Sequence, residues 1–410
     1  MINTRTISLL LSLLASPTLD RAPARADFGD PLGGLTDEEL ARFEAGKEVF
    51  EEEETPADGL GPVFNARSCA ACHNVGATGG GSTQTETRFG STASGKFDPL
   101  EDLGGPVIQQ EGIGVASTCE FVGEVVPADA NIQAGRRATA LFGLGLVESV
   151  PDERLRAIAA MQQRLLPAIA GRPHVVMDVV SGQQRVGRFG WKSQVATLPH
   201  FAAEAYLNEM GITTPLFPAE NCPNGNCALL DCDPVPDPED DGDDADRFAD
   251  FMRLLAPPPS AVTLARTDRR INRRGVTRRR GRTESADQID GSRLFDRIGC
   301  AGCHVRTLTT GESEIAALRA QRFHPFSDFL LHDMGALGDG IVQGEAAATE
   351  MRTAPLWGLR LQTTFLHDGR ATTLADAILA HDGQARDARN RFAALDGRGQ
   401  AQLLRFLGNL

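Results

Sequence analysis

No stretch of the 410 residues reaches 18 consecutive apolar positions, the length a helix needs to cross a bilayer. No integral span is therefore expected once an N-terminal leader is removed. A surplus of basic residues is missing too. Lys and Arg number 41 against 55 Asp and Glu, a net charge of −14, so nucleic acid is not an expected partner. No strand–helix–strand pattern surrounds the cysteines, which argues against a thioredoxin-like dithiol. Convincing alternating strands are absent, helical periodicity dominates, and the length suits two or three domains.

The longest apolar run is N-terminal and short. Ile7 to Leu14 is apolar apart from Ser8 and Ser12, Arg5 lies before it, and Ala24-Arg25-Ala26 makes an A-x-A cleavage site. This pattern predicts a signal peptide over 1–26, export to the periplasm, and a chain starting at Asp27. Residues 1–26 hold three Arg and one Asp, so their removal leaves −16. An oxidising compartment permits disulfides and covalent haem.

Eight cysteines and eight histidines are present. Four of the cysteines fall into Cys69-Ala70-Ala71-Cys72-His73 and Cys300-Ala301-Gly302-Cys303-His304. Both are C-x-x-C-H, the attachment pattern of haem c, and chance would give on the order of 0.003 such motifs. Two thiols one helical turn apart can add to the two vinyl groups of a porphyrin, and the next residue offers an imidazole to the iron. A four-cysteine zinc site is the rival, but it does not explain a His after both pairs. The spacing predicts two covalently bound haem c groups, held by Cys69, Cys72 and His73 and by Cys300, Cys303 and His304.

The surroundings repeat. Gly46 and Phe50 precede the first motif as Gly291 and Phe295 precede the second. The run Arg137 to Leu146 after the first matches Arg352 to Leu361 after the second at Arg, Leu, an aromatic and Gly-Leu. These matches predict two cytochrome-c-like haem units in a mainly α chain, residues 27–284 and 285–410. The second ends in an amphipathic helix with Leu403, Leu404, Phe406, Leu407 and Leu410 on one face.

The first unit carries a large insertion at about 150–284. A helix is expected from Pro151 with Leu155, Ile158, Met161 and Leu165 on one face, then a short hairpin within 175–189 and a helix over 201–210. Cys222, Cys227 and Cys232 suggest a disulfide inside their loop, with Cys119 standing apart. A catalytic thiol is the rival, without a nearby His. The acidic loop 233–246 has oxygens for calcium but no EF-hand spacing, so a solvated loop is favoured. Nine arginines over 266–282 read as an exposed linker able to dock an acidic partner.

The segment Gly59 to His73 resembles the first-haem signature of the bacterial di-haem oxidoreductases, a family of peroxidases and thiol oxidoreductases. Gly187-Arg188-Phe189-Gly190-Trp191-Lys192-Ser193-Gln194, Leu331-His332-Asp333-Met334-Gly335 and Phe365-Leu366-His367-Asp368-Gly369-Arg370 carry the same resemblance. It extends over essentially the whole chain after the leader. A more distant one is to di-haem cytochrome c peroxidases and to the di-haem enzyme that matures methylamine dehydrogenase.

The distant resemblance implies a sixth ligand to the second haem fourteen residues after His367, at His381. Met334, His332 and His367 are the rivals. It also implies a Gln and a Glu beside the first haem, for which Gln109 and Glu111 are the candidates, Glu111 as acid–base group. No His or Met follows His73 until Met161, so an open sixth position is expected there. Trp191 is either an electron relay between haems or core packing. Trp357, where the first repeat has Phe142, is expected to pack in a haem pocket. The implied activity is peroxidase-like: a donor redox protein feeds electrons through the second haem to hydrogen peroxide at the first. The alternatives are a non-catalytic electron-transfer di-haem cytochrome c and an oxidase of a thiol or protein partner.

Overall fold

The structure is a computed structural model that describes residues 27–116, 119–259 and 286–410. The leader and the arginine run lie outside the described residues. Helix outweighs strand, 36% to 15%, and no described helix is long and apolar enough to cross a membrane.

Helix α1 (Asp37–Glu51) starts at Thr36, whose side chain accepts from the Glu39 amide while the Glu39 carboxylate accepts from the Thr36 amide. This capping box, with three acidic residues in the first turn, satisfies amides that a helix start leaves unpaired. Strands β1 (Thr85–Gly90), β2 (Val107–Ile108) and β3 (Ile132–Arg137) form an antiparallel sheet in the order β2-β1-β3. Helix α2 (Asp152–Leu165) begins where expected, but its buried face is Leu155, Ile158, Ala159 and Gln162; Met161 and Leu165 are exposed. Strands β4 (Val175–Asp178) and β5 (Gln183–Val186) make the expected hairpin.

Helix α3 (Leu198–Ala205) passes without a break into a wider turn over Tyr206–Met210 and stops at Gly211, whose φ is +72°. Then come α4 (Asp243–Leu254), α5 (Ala286–Arg297), the paired strands β6 (Leu331–Asp333) and β7 (Glu350–Arg352), and α6 (Gly397–Leu407).

Two helix crossings carry the repeat. On α1, a Cβ at Gly46 would lie 2.3 Å from the Arg247 carbonyl oxygen of α4. On α5, a Cβ at Gly291 would lie 2.2 Å from the Gln402 carbonyl oxygen of α6. Glycine lets each pair approach this closely, and phenylalanines fill the rest of both contacts. Phe50 meets Phe251 at 4.8 Å and Phe295 meets Phe406 at 5.6 Å between ring centroids. Each such buried ring contributes about 1.5–3 kcal/mol through area alone. The same rings reach the motif histidines, Phe50 to His73 at 6.0 Å and Phe295 to His304 at 6.4 Å.

Helix α4 is therefore the partner of α1, although the sequence places it inside the insertion. Its start uses the acidic loop: the Asp240 carboxylate accepts from the amides of Gly242, Asp244 and Ala245, and Asp243, Asp244 and Asp246 occupy the first turn. That part of 233–246 is a helix start and not a free loop. The larger core also runs past residue 285, taking in Leu308, Leu318, Phe323, Phe329 and Leu330. A smaller core gathers Phe295, Phe326, Phe392, Leu403, Phe406, Leu407 and Leu410.

Candidate functional site: two cavities with a common wall

Each C-x-x-C-H motif lines its own cavity. Cys69 to Cys72 form a single helical turn, and Cys300 to Gly302 a tighter one. Both turns close with the His amide donating to the first cysteine's carbonyl at 3.0 Å, His73 to Cys69 and His304 to Cys300. The second-motif cavity is about 780 Å³ and the first-motif cavity about 470 Å³. Both volumes fall within the range of cofactor sites. The motif pairs thus line separate cavities, which leaves no four-cysteine zinc site between them.

Three histidines are prepared in the same way. His73 Nδ1 lies 3.0 Å from the Gly80 carbonyl, His304 Nδ1 2.9 Å from that of Phe326, and His381 Nδ1 2.8 Å from that of Ala377. A carbonyl only accepts, so each Nδ1 carries the proton and each Nε2 keeps a lone pair for a metal. Burial pushes all three below the usual imidazole range, His304 to about 4. Neutral imidazole is the form that ligates iron.

His304 and His381 line the same cavity, with Met334, His332 and His367. His332 is engaged on both nitrogens, Nε2 with Asp328 at 3.0 Å and Nδ1 with Gln384 at 3.1 Å. Burial works against its charge, but its hydrogen bonds to Asp328 and Cys303 prevail and push it up to about 11. With a side-chain oxygen against each ring nitrogen, His332 offers no free lone pair to an iron. The thiols are not activated either: burial first of all pushes Cys69 and Cys300 up to about 12 and Cys72 to about 11. A redox dithiol needs the opposite shift.

The first-motif cavity differs in its acids. Glu86 and Arg88 of β1 and Glu204 and Glu209 of the α3 helix and its wide turn line it. Arg88 Nε lies 2.8 Å from Glu86 Oε1. Glu86 and Glu209 are hydrogen-bonded to each other. Burial opposes ionisation of both. Arg88 overrides it at Glu86 and holds that carboxyl below the usual range, while burial and the Glu86 charge push Glu209 far above it. Glu209 thus keeps a proton and donates it toward Glu86, as two carboxyls in one low-dielectric site must. Burial also pushes Glu204 up to about 6.

Gln109 and Glu111 do not reach this cavity. Glu111 is exposed and pairs in strand register with Phe64. Gln109 is buried, with its side chain donating to the Asn208 carbonyl at 2.9 Å and its amide to Glu124 at 2.9 Å. The acids that do line the cavity carried a usable signal. Glu204 and Glu209, with Asn208 beside the second, interrupt a mostly apolar helix stretch, Phe201 to Met210. The empty interval after His73 has a structural answer as well: Met210 and Met252 line the first-motif cavity.

Arg137, Ala138, Thr139, Gly190, Trp191 and Phe201 line both cavities. Trp191 is fixed within this wall. Its Nε1 donates to the Arg137 carbonyl at 2.7 Å, and its carbonyl accepts from the Arg352 amide at 2.8 Å. Its ring meets His367 edge-on at 6.2 Å. The two repeat arginines close the frame: the Arg137 amide donates to the His367 carbonyl, and Arg352 Nε donates to the Gly190 carbonyl. Trp357 lines the second-motif cavity, as expected of haem-pocket packing.

Cys222, Cys227 and Cys232 stand apart from both cavities. Cys222 and Cys227 are joined in a disulfide, and Cys232 is also disulfide-bonded; the Cys119 side chain lies outside the described residues. Beside them Glu220, Asp237 and Glu239 bring carboxylate oxygens within 4.8 Å of one another.

Comparison with known proteins decides the family. The model of the family described as "Di-haem oxidoreductase, putative peroxidase" matches residues 117–410. The chain belongs to this family. Membership in the di-haem oxidoreductases implies two haem groups and oxidoreductase activity. The match begins after the first C-x-x-C-H motif, so it spans less of the chain than the sequence resemblance suggested. No curated protein matches this di-haem oxidoreductase.

Among solved structures, similarity is found to Kuenenia stuttgartiensis hydrazine synthase, at 15% identity and TM-score 0.43 over 100% of both chains. A MauG-like protein associated with microbial copper homeostasis gives 14% and 0.39, over 95% of this chain and 94% of that one. The diheme peroxidase BthA from Burkholderia thailandensis E264 gives 15% and 0.38, over 90% and 86%. The side chains themselves fit two haems: two thiols and a neutral, oriented imidazole stand in each cavity, and His381 adds a second imidazole in the larger one.

Proposed function

We propose that the protein is an exported, periplasmic di-haem c-type oxidoreductase of peroxidase type, built from two cytochrome-c-like units that meet at Trp191. The observation that carries this reading is the pair of motif-lined cavities sharing one wall. Cys69 and Cys72 would hold one haem and Cys300 and Cys303 the other through thioether bonds. His73 would ligate the first iron, and His304 with His381 the second. Haem iron, once bound, would supply one-electron chemistry, and a second imidazole on one iron would favour a low potential there.

The chain's own groups do the rest. A donor redox protein delivers electrons on the side of the larger cavity. Trp191 fills the path between the cavities. Hydrogen peroxide binds in the first-motif cavity, where Glu209 gives one proton to a peroxide oxygen and is reprotonated from solvent to give the second, while Arg88 beside Glu86 offsets the carboxylate charge in between. Two electrons and two protons convert one peroxide to two waters, which is the reason for two one-electron centres.

Resting EPR combined with stoichiometric peroxide addition tests this. A high-spin iron signal that vanishes on one equivalent of peroxide supports the reading. Two low-spin signals indifferent to peroxide would instead establish a pure electron-transfer cytochrome. The third reading, an oxidase of a thiol or protein partner, requires reduction of the haems by added thiol.

A further inference from the structure

Lysine is scarce in this chain. There are three, Lys47, Lys96 and Lys192, among 41 basic residues. Lys96 is exposed and Lys47 partly so. Lys192, the residue after Trp191, has a side chain with 0% exposure. Its ammonium lies in a basket of oxygens: Glu350 carbonyl at 2.7 Å, Ala347 carbonyl at 2.9 Å, Asp339 Oδ1 at 3.1 Å and Ala348 carbonyl at 3.4 Å. Asp339 is shared, its other oxygen meeting the buried Arg136 at 2.6 Å.

Three carbonyls and a carboxylate around one point make a cation site of the kind oxygen-bound metal ions occupy. A guanidinium, planar and forked, does not fit a compact cage of this shape, whereas an ammonium is a point charge with three donors. That accounts for lysine here in a chain that otherwise uses arginine. The cage belongs to residues 339–350, and its guest comes from the segment Gly187–Gln194. The guest therefore ties two distant stretches together one residue from Trp191. Around it the backbone is tightly folded: Gly190 has φ +73° and Ser193 +51°.

We propose that the Lys192 ammonium is a built-in cation that positions Trp191 across both cavities, filling with a side chain the place of a bound ion. Lys192 is a positioning residue: it touches neither cavity and acts through the backbone of its neighbour. This rests on the reading of the cavities as haem sites. It adds that electron exchange between them depends on the pin.

The test uses the loaded full-length protein. Lys192→Met keeps the stem and removes the charge; Lys192→Ala empties the cage. Haem content and the two separate haem spectra are measured first, then the rate at which one electron per molecule equilibrates between the haems after rapid partial reduction. Expected is full haem content, exchange slowed about tenfold or more in both variants, as small misplacement of a relay produces, and recovery of Lys192→Ala on adding methylammonium, sodium or calcium. Exchange at the wild-type rate in Lys192→Met overturns the proposal, as does a slowed Lys192→Ala that none of the three cations restores. If the wild type fails to hold two haems, the functional reading falls, and Trp191 emission in Trp357→Phe protein reads the pin instead. A red shift in the Lys192→Ala background reversed by methylammonium supports it; an unchanged spectrum overturns it.

Discussion

Replacing Gly291 by Ala is the most direct trial of how the second haem unit is assembled. The new Cβ would meet the Gln402 carbonyl oxygen at 2.2 Å and Phe406 Cβ at 2.8 Å. Ordinary contact begins near 3.4 Å, so α5 and α6 must separate by about an ångström. A backbone oxygen in mid-helix cannot rotate away as a side-chain tip can. Overpacking of this kind costs about 1–3 kcal/mol, and the better helix propensity of Ala recovers up to about 1 kcal/mol. The net loss is about 0–3 kcal/mol, centred near 1.5, or a melting temperature lower by a few degrees. Gly397→Ala, at the first residue of α6 and with nothing within 4 Å of the new Cβ, is the control. It should stabilise by about 0.4–1 kcal/mol, since Ala orders the unfolded chain. Thermal unfolding followed by circular dichroism on the two variants side by side gives the answer. A Gly291→Ala protein as stable as Gly397→Ala would refute the close-crossing argument and with it the structural basis of the repeat.

The remaining predictions concern the cavities and their rim. His381→Met should convert the second iron from a bis-His to a His/Met magnetic spectrum and raise its potential; an unaltered spectrum would remove His381 from the ligand set. Glu209→Gln should slow the peroxide reaction by about a hundredfold without changing haem content; a wild-type rate would mean the proton comes from elsewhere. Glu54, 8% exposed, is pushed up to about 7, chiefly by burial against a Tyr206 hydrogen bond that favours ionisation. Its folded value exceeds the ordinary 4.5, so its contribution is fully present below about 4.5 and is lost as pH rises through 7. At most about 3 kcal/mol is involved. Between pH 5 and pH 8 the wild type should lose more stability than Glu54→Gln, and equal losses in a calorimetric scan would contradict the assignment.

The two C-x-x-C-H motifs, the helix endings and the repeat were legible because they are local. A haem motif is five consecutive residues, and an amphipathic face such as Leu403 to Leu410 shows in its spacing. A glycine four residues before a phenylalanine repeats visibly in the sequence. The place of α4 was hidden: no spacing rule tells that residues 243–254, beyond an apparent insertion, return to cross α1. The cavity acids were missed for the same reason. The distant resemblance pointed to Gln109 and Glu111, but strand pairing turns Glu111 to solvent and ties Gln109 to Asn208.

The amino-acid sequence by itself determined that this protein carries two haem motifs, each on a helical turn with a histidine following, because thioether spacing and helix geometry are short-range. Only the tertiary structure decided which side chains complete each cavity. It alone brought Glu86 against Glu209, and it set His381, which the distant resemblance had named, in one cavity with His304. It also placed Trp191 in the common wall with Lys192 caged behind it. Those contacts join residues dozens to hundreds of positions apart. Their energies depend on burial and on partner charges that exist only once the chain has closed around them.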